Sequence, residues 1–125
     1  MENELSSTSL LQLEVQRDVG STVVAVAGEV DMLSSERMRE AMFAELRSRP
    51  DLLVVDLADV EFFPSSGISA LALLDRAARD AGVTLRVVAN ARSVLRPLQI
   101  TELYDDLNVH ASRAEALAAS SSPDV

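Results

Sequence analysis

Two adjacent hydroxyl side chains, Ser65 and Ser66, follow a strongly apolar segment and stand just before a segment with helical spacing. Pro64 disfavours helix for the residue before it, so a helix should begin at these serines. Backbone N–H groups converge at such a helix start, where a serine can cap the helix and where a phosphate is tolerated. The pattern therefore predicts either an ordinary helix cap or a hydroxyl that phosphorylation regulates.

The predicted helix after the serines carries two apolar stripes. Ala70 and Leu73 share the face of Ser66 at helical spacing, and a second stripe consists of Ile68, Leu71 and Leu74. One stripe suffices for packing on a sheet, so the stripe of Ser66 is either part of a broad core or a partly exposed docking surface. A phosphate adds about −1.5 to −2 charges, which an apolar or acidic interface would not accept. The functional interpretation is a docking surface that phosphorylation closes.

Catalytic and metal chemistry is poorly represented in this sequence. Cysteine and lysine are absent, which excludes a thiolate nucleophile, a Cys-based metal site, a Walker A lysine and a Schiff base. Asp56 ends an apolar run, as the phosphoacceptor aspartate of receiver domains does. The acidic pair and the lysine that receiver domains also need are missing from this sequence. We therefore expect Asp56 to pair with a loop N–H or an arginine. Ser66 and the lone His110 could belong to a hydrolase triad, yet the Gly-x-Ser-x-Gly elbow is missing. We predict a protein that is not an enzyme and binds no metal or cofactor.

The formal net charge of −9 at pH 7 narrows the class of partner. Such a charge argues against nucleic acid and anionic membranes, and it favours a monomer whose partner offers a basic or apolar surface. The sequence does not open with the basic start and apolar stretch of a signal peptide. No apolar run approaches the roughly 20 residues that span a bilayer. We therefore expect a cytoplasmic protein.

The apolar periodicity predicts a single α/β domain with a mixed β-sheet. Strands over residues 10–17 and 22–27 form an N-terminal β-hairpin, and strands over 52–57 and 83–89 enclose the serine helix in a parallel βαβ crossover. The remaining predicted elements are a helix capped by Ser34 or Ser35 and running to Ser48, a helix over 91–103 that Pro97 kinks or splits, a strand over 106–110 and a helix over 112–119. Helices pack against the sheet in this arrangement.

The length of 125 residues fits one domain with one core. We expect the folded domain to span residues 10–119. The flanking segments, residues 1–9 and 120–125, are polar and are predicted to be disordered tails.

Three segments in this order resemble the STAS domain of the anti-sigma factor antagonist family. Gly28-Glu29-Val30-Asp31 is similar to the family's G-E-hydrophobic-D motif after the second strand. Val54-Val55-Asp56-Leu57 through Phe62 resembles its central strand and the loop that follows. Ser65-Ser66-Gly67-Ile68 resembles its D-S-S-G-hydrophobic phosphorylation loop. The resemblance covers nearly the whole chain.

The resemblance implies a phosphorylation switch in which Ser66 is the acceptor, with Ser65 as the alternative. In this family an anti-sigma factor with serine kinase activity phosphorylates the second hydroxyl of the pair. The unphosphorylated protein binds that kinase and releases its sigma factor, and a PP2C-type phosphatase acts on the phosphorylated form to reset it. The same resemblance places Asp31 near Ser66, and the predicted partner-binding residues are Asp31, Ser65, Ser66, Gly67, Ala70 and Leu73.

The sequence departs from the family at Pro64, which stands where the family usually has an acid. The departure removes a carboxylate beside the acceptor and stiffens the loop. Some STAS proteins act as unmodified modules. The alternative function is therefore an unphosphorylated STAS scaffold or protein-interaction module in a signalling complex.

Overall fold

The structure is a computed structural model that describes residues 11–118, in which strands and helices alternate. A hairpin comes first, and three strand–helix–strand units and a short C-terminal helix follow. In chain order the elements are β1 (Leu11–Asp18), β2 (Ser21–Glu29), α1 (Met32–Arg47), β3 (Leu52–Phe62), α2 (Ser65–Ala81), β4 (Thr84–Val88), α3 (Arg92–Ile100), α4 (Leu103–Asp106), β5 (Asn108–His110) and α5 (Arg113–Ala118). The predicted tails, residues 1–9 and 120–125, lie outside the described residues.

The five strands form one sheet in the order β1-β2-β3-β4-β5. β1 and β2 are antiparallel, and their tight turn contains Gly20 with a φ of 81°, a conformation that glycine adopts without steric cost. The strands from β2 to β5 are all parallel, with helices in the connections between them. The prediction of a single α/β domain with a mixed sheet is confirmed.

The main apolar core lies between one face of the sheet and helices α1, α2 and α3. Leu53 and Val55 of β3 point into this core, where Met38 of α1 is fully buried. Val54, between the two, points to the opposite face because successive side chains of a strand alternate. There it packs against Ala116 of α5. One face of the sheet is thus covered by long helices, and α5 packs on the other.

β3 is longer than the sequence pattern predicted, since it ends at Phe62 rather than Leu57. The additional residues continue the pairing with β2, through register shifts, as far as the pair of Glu29 and Phe62. In this part exposed and buried side chains alternate, as at Asp59 and Val60. A continuous apolar run marks only the part of a strand that is buried on both faces, and for this reason the predicted end was wrong.

The helix predicted over residues 91–103 is split, but after Pro97 rather than at it. α3 continues through Pro97 to Ile100. The Thr101 hydroxyl then donates to the carbonyl oxygens of Pro97 at 2.9 Å and Leu98 at 3.2 Å, and Glu102 has a φ of 67°. The hydroxyl thus satisfies carbonyls of the last turn, and the left-handed Glu102 ends the helix before α4 begins.

Asp56 fastens α5 to the sheet. Its Oδ2 accepts from Arg113 Nε at 2.8 Å, and Arg113 Nη1 donates to Gln16 Oε1 at 3.0 Å. The other carboxylate oxygen of Asp56, Oδ1, accepts from the backbone N–H of Ala58 at 3.0 Å. An arginine and a backbone N–H are the two kinds of partner that the sequence predicted. Asp56 therefore has a structural role.

Replacing Arg113 with alanine should lower the free energy of unfolding by about 1–2 kcal/mol. The change leaves the Asp56 carboxylate, whose side chain is 10% exposed, without its cation, but solvent screens the pair because the Arg113 side chain is 39% exposed. Urea denaturation measures the effect. Arg92→Ala is the control, because Arg92 is exposed and makes no ion pair within residues 11–118. Equal losses for the two variants would contradict the prediction.

Candidate functional site

The ends of β2 and β3 bring the predicted site residues to one edge of the sheet. Glu29 pairs with Phe62, and the Val30 N–H donates to the Phe62 carbonyl at 3.1 Å. Asp31 follows directly on one chain segment, and Ser65 follows three residues after Phe62 on the other. The carboxyl ends of parallel strands are where open α/β sheets commonly bind their ligands.

Asp31 is both the N-cap of α1 and an exposed carboxylate. Its Oδ1 accepts from the Ser34 N–H at 2.7 Å and from the Ser34 hydroxyl at 2.8 Å, while the Asp31 N–H donates back to Ser34 Oγ at 2.8 Å. The backbone N–H of Ser34, and after it the Ser34 hydroxyl, lower the pKa of Asp31 from its usual range. The site therefore keeps a negative charge at neutral pH.

The prediction that Ser34 or Ser35 caps α1 was wrong. Ser34 is the third residue of the helix and completes a capping box with Asp31. Ser35 is in the same first turn, where its hydroxyl donates to the Met32 carbonyl at 3.0 Å. Asp31 has the extended backbone that an N-cap needs, so its carboxylate takes the position that the sequence analysis assigned to a serine.

Both serines of the loop lie inside α2, so the prediction that one of them caps this helix was also wrong. Pro64 is the N-cap, with an extended backbone and no side-chain cap. Its carbonyl accepts from the N–H groups of Gly67 at 2.9 Å and Ile68 at 3.2 Å. No acidic residue stands in the first turn of α2. The positive end of this helix dipole therefore has neither a capping side chain nor a carboxylate of its own first turn.

The two serine hydroxyls differ in their environment. Ser65 is exposed, whereas Ser66 is only partly exposed and its Oγ is enclosed. Within residues 11–118 nothing hydrogen-bonds to Ser66 Oγ. A buried hydroxyl without a partner is destabilising, so the closed position of Ser66 is held by its surroundings rather than by its own bonds.

Gly67 permits a close contact that fixes the first turn of α2. A Cβ at this position would lie 2.8 Å from Cε1 and Cζ of the Phe63 ring. Gly67 is buried, and Phe63 is only 3% exposed. The ring can therefore pack directly on the helix backbone next to Ser66.

The predicted docking stripe of Ser66, Ala70 and Leu73 is not one exposed face. Ala70 is 3% exposed and belongs to the main core, so its prediction as a partly exposed residue was wrong. Leu73 is 54% exposed, and it lies at helical spacing from the exposed Ser65 and Ser69. The difference arises because α2 packs against α1 as well as against the sheet, which widens its buried arc.

Three exposed apolar side chains at this edge were missed by the sequence analysis. Met32 and Leu33, in the first turn of α1, are 82% and 85% exposed, and Phe62 at the end of β3 is 57% exposed. Grouped large apolar side chains on a surface mark interaction sites. We call Met32, Leu33 and Phe62 the apolar edge. The sequence did contain a signal for Met32 and Leu33, because this apolar pair directly follows Asp31 and lies outside the buried stripe of α1.

The alternative chemistries find no support in the geometry. His110 lies on β5, two strands away from β3, and Ser66 Oγ has no hydrogen-bond partner in the described part of the chain, so these residues form no Ser–His pair there. Among residues 11–118 no group of three or more acidic, histidine or cysteine side chains is arranged around a metal position. In the same range, none of the helices has the length and apolar character needed to cross a bilayer.

Comparison with known proteins identifies the family. The family model of the STAS domain matches residues 11–116. The anti-sigma-F factor antagonist RsfB of Mycobacterium tuberculosis is 26% identical over 113 residues, which cover 90% of this chain and 92% of RsfB. The crystal structure of an anti-sigma factor antagonist from Mycobacterium paratuberculosis has a TM-score of 0.78 and 29% identity, over 86% of this chain and 91% of that one.

A more distant structure has the same fold. Unphosphorylated SpoIIAA, an anti-sigma factor antagonist, superposes with a TM-score of 0.70 at 19% identity, over 86% of this chain and 92% of its own. The fold, the order of the three motifs and the match over residues 11–116 agree. This chain belongs to the STAS domain family.

Proposed function

We propose that this chain is an anti-sigma factor antagonist, a regulatory binding protein rather than an enzyme. In its unmodified form it binds an anti-sigma factor and so releases a sigma factor. The observation that carries the proposal is the apolar edge, which stands beside the Asp31 carboxylate and the exposed Ser65 at the carboxyl end of the sheet. The names of its relatives, such as anti-sigma-F factor antagonist RsfB, support the same role. The proposal places the chain in the cytoplasm with its partner.

Phosphorylation of Ser66 by that anti-sigma factor, acting as a serine kinase, would switch binding off. A phosphate on Ser66, once the side chain has rotated out of its enclosed position, meets the N-terminus of α2, which has no side-chain cap and where the helix dipole and backbone N–H groups favour an anion. The same dianion must be desolvated if an apolar partner covers the edge, which costs binding energy. The modification therefore acts on binding and spares the fold. A PP2C-type phosphatase would remove the phosphate.

The second candidate function is an unswitched STAS module, and the position of Ser66 Oγ favours it. Transfer of a phosphate requires this enclosed oxygen to rotate out of the first turn of α2, past a backbone that the Phe63 contact holds in place. Pro64 supplies no carboxylate beside the acceptor. If the rotation does not take place in the complex, the chain binds its partner without being modified, or Ser65 is modified instead.

Intact-mass spectrometry separates these functions. The chain is incubated with ATP and with each purified anti-sigma kinase from the same genome, and complexes are scored by size-exclusion chromatography. A single phosphate that is lost in Ser66→Ala and kept in Ser65→Ala supports the switch. A stable complex without phosphate supports the unswitched module. If none of these kinases forms a complex with the chain or phosphorylates it, the proposal is overturned.

The Ser66→Ala variant is a clean control for this experiment. It removes an enclosed oxygen that has no hydrogen bond in the described structure, so the variant should be at least as stable as the wild type. A loss of phosphorylation in this variant then reports the missing acceptor rather than a damaged fold.

A further inference from the structure

A groove runs along the outward side of α2, between its C-terminal half and the short helix α4. Its volume is about 600 Å³. The residues that matter for its chemistry are Leu73, Arg76, Arg79, Asp80, Leu103 and Asp106.

The apolar part of the groove comes from two leucines on opposite walls. Leu73 of α2 is 54% exposed, and Leu103 of α4 is partly buried against the main core. Leu73 also belongs to the outward face of α2 that begins at Ser65. The groove therefore continues the surface on which the proposed partner would bind.

The charged part of the groove is acidic after its internal pairs are taken into account. Arg79 Nε donates to Asp75 Oδ2 at 3.0 Å, and Arg79 Nη2 donates to the Asp106 carbonyl at 3.1 Å, so this arginine joins the two walls. The carboxylates of Asp80 and Asp106 make no ion pair within the described residues. Arg76 is the remaining cation of the lining.

Two exposed acids at α4 increase the negative charge of this wall. Glu102 precedes α4 and Asp105 lies within it, and neither makes an ion pair among residues 11–118. A groove with a leucine on each wall and acidic residues along its rim is complementary to an amphipathic helix that carries basic residues beside its apolar stripe. A second copy of this chain is a poor occupant, because its net charge is −9.

We propose that the groove binds a basic amphipathic helix of the anti-sigma factor, with apolar residues on Leu73 and Leu103 and arginine or lysine facing Asp80 and Asp106. The inference rests on the proposed function and names a second contact for the same partner. The rise from Ser65 to Asp80 is about 23 Å at 1.5 Å per residue, so a helix of about 15 residues reaches from the serine end to the far end of the groove.

Charge reversal tests the electrostatic half of the proposal. In Asp80→Arg/Asp106→Arg both unpaired groove acids become cations, and we expect the affinity for the anti-sigma factor bound by the wild type to fall at least tenfold. The loss should shrink at high salt, because ions screen exposed charges. Glu14→Arg/Asp18→Arg on β1 is the matched control, since it changes two exposed acids and the net charge equally. Isothermal titration calorimetry measures both, and circular dichroism checks folding.

Cross-linking tests the location of the partner. The sequence contains no cysteine, so a single cysteine at Ala72, an uncharged residue of the groove, or, as a control on α5, at Ala114 carries a photoreactive label at one defined place. We expect the Ala72→Cys label to capture a helix of the anti-sigma factor and the Ala114→Cys label to capture none.

The outcomes distinguish the groove from the proposed function. Equal affinity of the groove variant and the β1 control, or capture of a second copy of this chain by the label at position 72, overturns the groove proposal. The proposed function survives either result as long as the wild type binds and Ser66→Asp does not. Absence of any complex with the wild-type chain overturns both.

Discussion

Replacing Ser66 with aspartate should lower the affinity for the anti-sigma factor at least 100-fold, which corresponds to about 2.7 kcal/mol. When the side chain rotates out of the enclosed position of the serine oxygen, the carboxylate reaches solvent at the positive end of the α2 dipole, at little cost to the free protein. In the complex, the same charge would have to lose water next to the apolar edge. We expect the free energy of unfolding to stay within about 1 kcal/mol of the wild type. Calorimetric titration and urea denaturation measure the two quantities.

Ser48→Asp is the matched control for this experiment. It makes the same chemical change at an exposed serine after the last residue of α1, at the end of that helix opposite to Asp31. Its affinity should equal that of the wild type. If Ser66→Asp binds as tightly as Ser48→Asp, charge at position 66 does not control docking. If Ser66→Asp unfolds the domain, the uncapped start of α2 does not accept an anion.

Replacing Gly67 with alanine should lower the free energy of unfolding by about 1–3 kcal/mol. The usual effect of this substitution inside a helix is the opposite, a gain of about 1 kcal/mol, because alanine has the higher helix propensity. Here the new methyl group would lie 2.8 Å from the Phe63 ring, which is buried and cannot move without disturbing the core. The sign of the change therefore reports whether the contact exists. Urea denaturation gives the sign directly.

A double-mutant cycle with Phe63→Leu isolates this contact. The smaller side chain removes the ring atoms that the Gly67→Ala methyl group would meet, so the loss caused by Gly67→Ala should shrink in the Phe63→Leu background. Additive losses would place the cause elsewhere in α2. An increase in stability for Gly67→Ala alone would show that no ring packs on this turn.

The central elements of the fold could be predicted because buried strands and helices have simple apolar patterns in the sequence. The continuous apolar run that starts at Leu52 indicates a central strand. The helical spacing after Ser66 indicates a helix that connects this strand to the next one in a crossover. The end of β3 at Phe62 was not predicted because the last residues of this strand are exposed to solvent on one face. Their polar and apolar residues alternate, whereas the continuous buried run of the strand ends at Leu57.

The sequence predicted which segments contribute to the site, but it did not predict which of their side chains are exposed. The family resemblance placed Asp31 near Ser66, and the register at Glu29 and Phe62 brings the two chain segments to the same end of the sheet. Exposure could not be predicted, since it depends on neighbours in space. Helical spacing treats Ala70 and Leu73 alike, whereas the packing of α2 against α1 and the sheet buries Ala70 and leaves Leu73 54% exposed.

The thin cover that α5 gives to one face of the sheet has a consequence for motion. In the described part of the chain this helix has six residues, held by a small cluster around Ala116, by the contact of Arg113 with Asp56 and by a 2.7 Å hydrogen bond from Arg86 Nη1 to the Ala116 carbonyl. By contrast, α2 is seventeen residues long and buries five side chains in the main core. Elements with few buried contacts open locally at low free energy. Amide hydrogens of α5 will therefore exchange with solvent by detachment of that helix alone, while those of β3 exchange only when the whole domain unfolds.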